Sequence, residues 1–441
     1  MNNNIDNEKY YNKLNYDLID NKISYVKYDF VVNYVYFHNG NHIVFDFNFS
    51  ADKNINMIIK NLNALKINKS MKKIKIKNID YLYSSKYIPN HLNNLNDFKY
   101  YQKISYIYKK LFNNIKYSNL RKFILDNCNL LSINNHIINI LQNKNLQSIT
   151  FNKCIMNRKN ILSLSNYLIN NKTLKKLKLN NIAIFFVGDN FQYYNFSGKN
   201  LKIYNYNHID ISQTYYIYNL SKYSYEILDI LNSLKYNDTL QSIDLSFNYI
   251  NKIYNNFEFL NYNNTLQILN LSNNNIIDIT NLTCYLQNNH SLTTLDLSNN
   301  EIKDISSFYE VLKNNTTLQI LDLSNNEIEN INKFSEELKL NNTLIKLDLN
   351  KNKINDVTNL FFSLKINMSL QYLNLKDNQI NNTNLLIDLL QNREFNYFSI
   401  QYNCINDNQV LYNFNKHKNI VIYPSLFIND LIFNNDEKII K

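Results

Sequence analysis

The sequence predicts an α/β solenoid: a curved stack of short parallel strands backed by helices. Three observations carry that expectation. An eleven-position motif returns every 26 residues, beginning at Leu240, Leu266, Leu292, Leu318, Leu344 and Leu370. Within it apolar and polar residues alternate, as in Leu295-Asp296-Leu297, which is the period of a strand with one buried face. Between copies, apolar residues recur four apart, at Leu282/Leu286, Phe308/Leu312, Phe334/Leu338, Leu360/Leu364 and Leu386/Leu390, which places each pair on one helical face. Stacked repeats share one continuous core, so a chain of 441 residues need not divide into spherical domains.

The elements follow in chain order. Residues 1–70 read as an N-terminal cap. Val31 to Phe49 alternates around Asn39-Gly40, a strong hairpin signal, and its second strand merges into a first repeat strand near Ile43 to Phe47. His38 and His42 flank that turn and, lacking a third ligand, read as cross-strand neighbours. A degenerate first array spans 71–182. Its units are Met71-xx-Ile74-x-Ile76, Leu120-xx-Phe123-x-Leu125-xx-Cys128, Leu146-xx-Ile149-x-Phe151-xx-Cys154 and Leu174-xx-Leu177-x-Leu179, the last with Ile182 where Asn is expected. The 49 residues between Met71 and Leu120 leave room for one unit without a motif.

An irregular repeat with an insertion covers 183–239. Leu201-xx-Tyr204-x-Tyr206 reads as a degenerate unit, and the surplus falls near 211–224, after Gly188 and Gly198. That Tyr-rich stretch is either a tolerated loop or a contact element, since Tyr is favoured at binding hot spots. A regular array fills 240–419, ending with Phe395-xx-Phe398-x-Ile400-xx-Asn403-x-Ile405 and the helix positions Val410 and Phe414. Residues 420–441 read as a C-terminal cap, with a strand from Ile420 running into Pro424, which cannot donate in a ladder.

The motif LxxLxLxxNxI, its helical backing and its Asn-x-Thr/Ser-Leu junction resemble the ribonuclease-inhibitor-like class of leucine-rich repeats. The resemblance implies a parallel sheet on the concave side, helices on the convex side, and action by binding rather than by catalysis. Asn248, Asn274, Asn300, Asn326, Asn352, Asn378 and Asn403 hold the ninth position in register. An Asn there can both donate and accept, so stacked copies are expected to form a structural ladder. Cys128 and Cys154 occupy the same position and read as structural thiols. The Asn-x-Ser/Thr sequons at Asn171, Asn237, Asn263, Asn289, Asn315, Asn341 and Asn367 each precede a repeat's first Leu by three residues. They are repeat grammar and carry no implication of glycosylation.

Composition narrows the function. The net charge is +11, with only three arginines, Arg121, Arg158 and Arg393. Base readout favours the guanidinium fork, so sequence-specific nucleic-acid recognition is not expected. Three glycines in the whole chain leave no phosphate-cradling loop, and no metal or nucleophile motif is present, so neither an enzyme nor a cofactor is expected. No apolar run is long enough to span a bilayer, and the N-terminus has no apolar leader; a cytoplasmic or nuclear protein is expected.

The strand register places Asp244, Asn270, Asp296, Asp322, Asp348 and Asn374 on the concave face as an acidic row. It places Lys72, Lys73, Lys75, Arg121, Lys122, Lys175, Lys176 and Lys178 there as a basic one. The expected function is that of a non-enzymatic scaffold or adaptor binding a partner protein on that face. Two alternatives stand beside it. One is regulation of a small GTPase, implied by the resemblance because nuclear-transport GTPase activators share the repeat class. The other is nonspecific RNA or anionic-membrane attachment through the Lys-rich first array.

Overall fold

The computed structural model describes residues 35–38, 42–46, 72–77, 119–128, 140–185, 192–197, 200–205, 224–250, 257–382, 385–405 and 420–421, with Lys109 and Leu130 besides. The chain falls into two compact units, 1–251 with 256–270, and 252–255 with 271–441.

In the first unit, β1 (Val35–His38) and β2 (His42–Asp46) form an antiparallel hairpin that pairs His38 with His42. β2 then runs parallel to β3 (Lys73–Lys77), and β3 to β4 (Lys122–Asp126) with Lys73 opposite Lys122. Because β3 pairs directly with β4, no further strand of the sheet lies between them. β5 (Ser148–Asn152) continues the sheet. A short strand, β6 (Ile155–Asn157), and a helix over Arg158–Asn170 leave it. β7 (Lys176–Asn180) returns beside β5, and β8 (Ala183–Phe185) pairs with β6 in a small parallel sheet of their own.

Here the structure departs from the sequence reading. β9 (Gln192–Ser197) and β10 (Asn200–Asn205) form a separate antiparallel sheet, with Leu201 opposite Phe196. The segment starting at Leu201 is therefore not a repeat strand. β7 pairs directly with β11 (Ser242–Asp244), Leu177 opposite Ile243, across an interval of 66 residues. The alternation of Leu201 and Ile203 with Lys202 belongs to a hairpin strand, which has the same period of two as a solenoid strand. A helix over Ser224–Ser233 restores the repeat by burying Ile230 and Leu231, with Leu234 buried just beyond its end, and β12 (Ile268–Asn270) ends the unit.

The second unit repeats one module. β13 (Thr294–Asp296), β14 (Ile320–Asp322), β15 (Lys346–Asp348), β16 (Tyr372–Asn374), β17 (Tyr397–Ser399) and β18 (Ile420–Val421) run parallel in register. Each inward Leu or Phe of β13 to β17 is fully buried. Helices of seven residues alternate with the strands, at Thr280–Leu286, Phe308–Asn314, Asn332–Leu338, Thr358–Leu364 and Leu386–Asn392. Two turns of helix are not stable alone. Packing holds them: all five apolar pairs spaced four apart are buried, and each helix touches the next.

The turn after each repeat strand from β4 to β17 has an unusual residue at position eight, joined after β11 by Tyr249 with φ 56°. Position eight, held by Asn127, Lys153, Asn181, Phe247, Asn273, Asn299, Asn325, Lys351, Asp377 and Tyr402, has φ between 51° and 61°. Asn tolerates this left-handed region better than other residues with a Cβ. The conformation aims the position-eight N–H at the next repeat: Asn299 donates to the Ser324 carbonyl at 2.8 Å and Lys351 to that of Lys376 at 2.8 Å.

Val410, Phe414, Pro424, Gly188, Gly198, the tract 211–223 and the cap residues 422–441 lie outside the described residues, as do Asn39 and Gly40.

Candidate functional site: the outer face of the strands

Two networks of buried asparagines fix the backbone before and after the strands. In the second unit, Asn326 Nδ2 donates to its own Leu323 carbonyl and to Leu297 of the preceding repeat, both at 3.0 Å, while its Oδ1 accepts from the Ile302 N–H at 3.1 Å. Asn300, Asn352, Asn378 and Asn403 bridge repeats in the same way, and Asn274 bonds its own Leu271 carbonyl. In the first unit Asn248 Nδ2 donates to Leu179 at 2.7 Å, across the long interval, and its Oδ1 accepts from Ile182. Cys154 Sγ donates instead to the Leu125 carbonyl at 3.6 Å and Cys128 Sγ to that of Ile76 at 3.7 Å. Burial pushes the Cys154 thiol well up, so it is held neutral.

The sequence did not reveal the second network, formed by the sequon asparagines. Asn315 Oδ1 accepts from the N–H groups of Thr317 and Leu318, and its Nδ2 donates to Leu286 and Asn289 of the previous repeat, each at 2.8 Å. Asn237, Asn263, Asn341 and Asn367 repeat the pattern, and all are buried. The amide nitrogen that a glycan would need is already bonded inside the protein. Arg393 fills this slot in the last described repeat, which is one residue shorter. Its guanidinium donates to Leu364 at 2.6 Å, to Asn367 and to Leu370, and rests 4.3 Å from the Phe395 ring. Burial lowers its pKa to about 10, which leaves it charged at neutral pH.

The acidic row is more constrained than the sequence suggested. Asp296 Oδ1 accepts from the Ser298 N–H at 3.0 Å and its hydroxyl at 2.7 Å, and Asp322 does the same with Ser324. Asp348 accepts from the Asn350 N–H at 3.1 Å and from Asn374 Nδ2 at 3.1 Å. These carboxylates terminate the strand and open the turn before they do anything else. Asp348 is only 8% exposed, and burial, reinforced by nearby Asp322, raises its pKa. Asn270 lies on the same face of β12.

Beside that row, position three varies from strand to strand: Thr294, Ile320, Lys346, Tyr372, Tyr397. Tyr372 and Tyr397 stack with centroids 4.4 Å apart, and Lys346 Nζ sits 4.3 Å from the Tyr372 ring. Burial, with Asp348 and the neighbouring Tyr397 adding to it, keeps the Tyr372 phenol protonated.

In the first unit the basic expectation divides. Lys75 pairs with Asp126 at 2.7 Å, and Lys178 pairs with Asp244 at 2.5 Å. Because β7 lies directly against β11, a lysine and an aspartate that the sequence placed in opposite rows neutralise each other. Lys72, Lys73, Arg121, Lys122, Lys175 and Lys176, at the N-terminal ends of the strands, form no ion pair with a described residue. Among the described residues no group of three or more metal-binding side chains occurs, and no helix is long and apolar enough to cross a membrane.

Strand, left-handed turn, asparagine bridge and short helix, repeated in register, define a leucine-rich-repeat protein. Residues 264–314 and 290–336 match the family described as Leucine Rich repeats (2 copies), and 367–383 match Leucine Rich repeat. The matches are to leucine-rich repeats at large and do not single out the ribonuclease-inhibitor-like class. A comparison with curated proteins finds no match. Among solved structures, TLR13 in its complex with ssRNA13 is 18% identical with a TM-score of 0.46, and the alignment covers 79% of this chain and 41% of that one. An internalin, InlF of Listeria monocytogenes str. 4b F2365, is 15% identical with a TM-score of 0.38, covering 81% and 86%. Internalin C2 of the same strain is 20% identical with a TM-score of 0.33, covering 58% and 80%.

Proposed function

We propose that this protein is a non-enzymatic scaffold that binds a partner protein on the outer face of its strands. Leucine-rich-repeat proteins generally mediate protein–protein interaction. One observation supports the reading most directly. Inward positions of the second unit are nearly identical from repeat to repeat, whereas position three changes through Thr294, Ile320, Lys346, Tyr372 and Tyr397. Packing dictates the first set and leaves the second open, so the second can carry recognition. Stacked tyrosines are the kind of rigid, amphipathic anchor that dominates binding energy. Four free cysteines support a reducing compartment, cytoplasmic or nuclear.

The test is affinity purification from the native cell with the intact chain and with Tyr372→Ala/Tyr397→Ala. The expected result is loss of a specific partner from a variant whose circular dichroism is unchanged. The same partners at the same yield would reject this face. Replacing Asp296, Asp322 and Asp348 by Lys is a poor test, because their carboxylates hold the turns; Asp322→Asn keeps an acceptor while removing the charge. A fluorescent fusion at native expression tests the compartment, and a secreted or surface location would overturn it.

A further inference from the structure

We infer that the N-terminal ends of β3, β4, β5 and β7 form a cationic band that binds an acidic polypeptide segment of a partner protein. The inference rests on the scaffold reading and names the chemistry of a partner for the first unit. Register sets Lys73, Lys122, Ser148 and Lys176 side by side, and Lys72, Arg121, Gln147 and Lys175 immediately precede them. Adjacent strands lie about 4.8 Å apart, so six cations occupy a band roughly 15 Å long.

The cations lie off the core, and none forms an ion pair with a described residue. Asp238, whose carboxylate senses the charge of Lys175, is already paired with Lys172 at 2.6 Å. The acids of the same face, Asp126 and Asp244, sit at the opposite ends of their strands. Lys75 with Asn152, and Lys178 with Ser246, already engage them. Lys73 is held below the usual lysine range first by partial burial and then by the charges of Lys122 and Lys75. The described first-unit strands from β3 to β12 carry no acid at positions two and three: the remaining residues are Gln147, Ser148, Gln241, Ser242, Gln267 and Ile268.

The charge complement is a polyanion, and the neighbouring residues favour a polypeptide over a nucleic acid. Single-stranded nucleic acids are held by a basic groove together with aromatic side chains on which bases stack. The outer face from β3 to β7 presents Ile124, Thr150, Asn152 and Asn180 beside its lysines and Asp126, with no aromatic residue. An extended chain repeats its side chains on one face about every 6.8 Å, so roughly five residues with alternate Asp or Glu span the band. Carboxylates there would relieve the repulsion among the lysines.

The test uses the full chain and fluorescence anisotropy with two dye-labelled probes of about the same length, a peptide of alternating Glu and Ser and an oligouridylate. The band variant is Lys73→Glu/Lys122→Glu/Lys176→Glu. A control, Lys313→Glu/Lys333→Glu/Lys339→Glu, makes the same change in net charge in and just beyond helices of the second unit. The expected result is saturable peptide binding that weakens at least about tenfold in the band variant and with rising salt, but changes by less than about twofold in the control. Three results overturn the inference: no peptide binding, an equal loss in both variants, or tighter binding of the oligouridylate with the same dependence on the band. Lys73→Gln/Lys122→Gln/Lys176→Gln guards against misfolding by reversed charge and is expected to weaken binding less steeply. Failure here leaves the Tyr372 and Tyr397 test of the second unit untouched, so the two readings fail separately.

Discussion

Asn314 and Asn315 are adjacent in an asparagine-rich chain, yet they differ sharply in consequence. Asn314 is exposed and reaches Glu310, whereas Asn315 is buried with both ends of its amide bonded to backbone. Asn315→Asp would place a carboxylate oxygen against the Leu286 and Asn289 carbonyls, and is expected to destabilise by about 2–4 kcal/mol. Asn314→Asp should change stability by less than about 0.5 kcal/mol. Urea midpoints of the two variants check the contrast. Position eight gives a prediction of opposite sign. Lys351 holds φ at 56° with no side-chain reason to be there. Lys351→Asn is expected to raise stability by up to about 1 kcal/mol, and an unchanged or lower midpoint would contradict that reading. Neither asparagine role was legible from composition, because Asn is common at every position. Register exposed the ninth-position set. The junction set was visible only as a sequon pattern, and its bonds to a repeat 26 residues earlier required coordinates.

The helices show how little local signal an element needs when its neighbours supply the rest. None of the described second-unit helices has a side-chain hydrogen bond from its N-cap residue. An Asx turn leads into the first four instead: Asp278, Asp304 and Asp356 accept from the N–H two residues on, at 2.8, 2.7 and 2.9 Å, and Asn330 does so at 2.9 Å. The Thr358 hydroxyl and N–H hold the Asp356 carboxyl below the ordinary carboxylate value. Its contribution is therefore complete above that value and lost as pH falls through the lower, folded-state one. Asp356→Ala is expected to lower stability by about 1 kcal/mol at neutral pH, and the gap to wild type should close below about pH 4. Asn330→Ala should show a loss that does not vary with pH over the same range. Denaturation curves across that range decide it. The i, i+4 apolar pairs made all five helices legible in the sequence, but the Asx entry was hidden among the many Asp and Asn residues.

At the scale of the whole chain, the interval between β7 and β11 is the informative irregularity. Their cross-repeat bonds span 66 residues, forty more than the repeat of 26, yet Leu177 and Ile243 pair as any two neighbours do. An insertion that leaves the strand register intact is tolerated because loop-closure entropy grows slowly with length. Deleting residues 187–226 restores the 26-residue step and is expected to preserve the circular dichroism spectrum and shift the thermal midpoint by only a few degrees. Loss of the cooperative transition would show that the tract belongs to the core. The described core and the repeat strands were legible because burial imposes a strict pattern. The binding surface was less so, since outward positions obey no pattern and their charges depend on which strands are neighbours.

Sequence alone determined the repeat, its strand-and-helix alternation, the inward residues and the ninth-position asparagines, because a solenoid core repeats its physical demands at fixed spacing. Tertiary structure alone decided that Leu201 lies in a separate hairpin, that Lys178 neutralises Asp244, and that the acidic row is spent largely on turns. Each of these depends on contacts that the repeat does not encode, and a periodic pattern carries no information about where its period is interrupted.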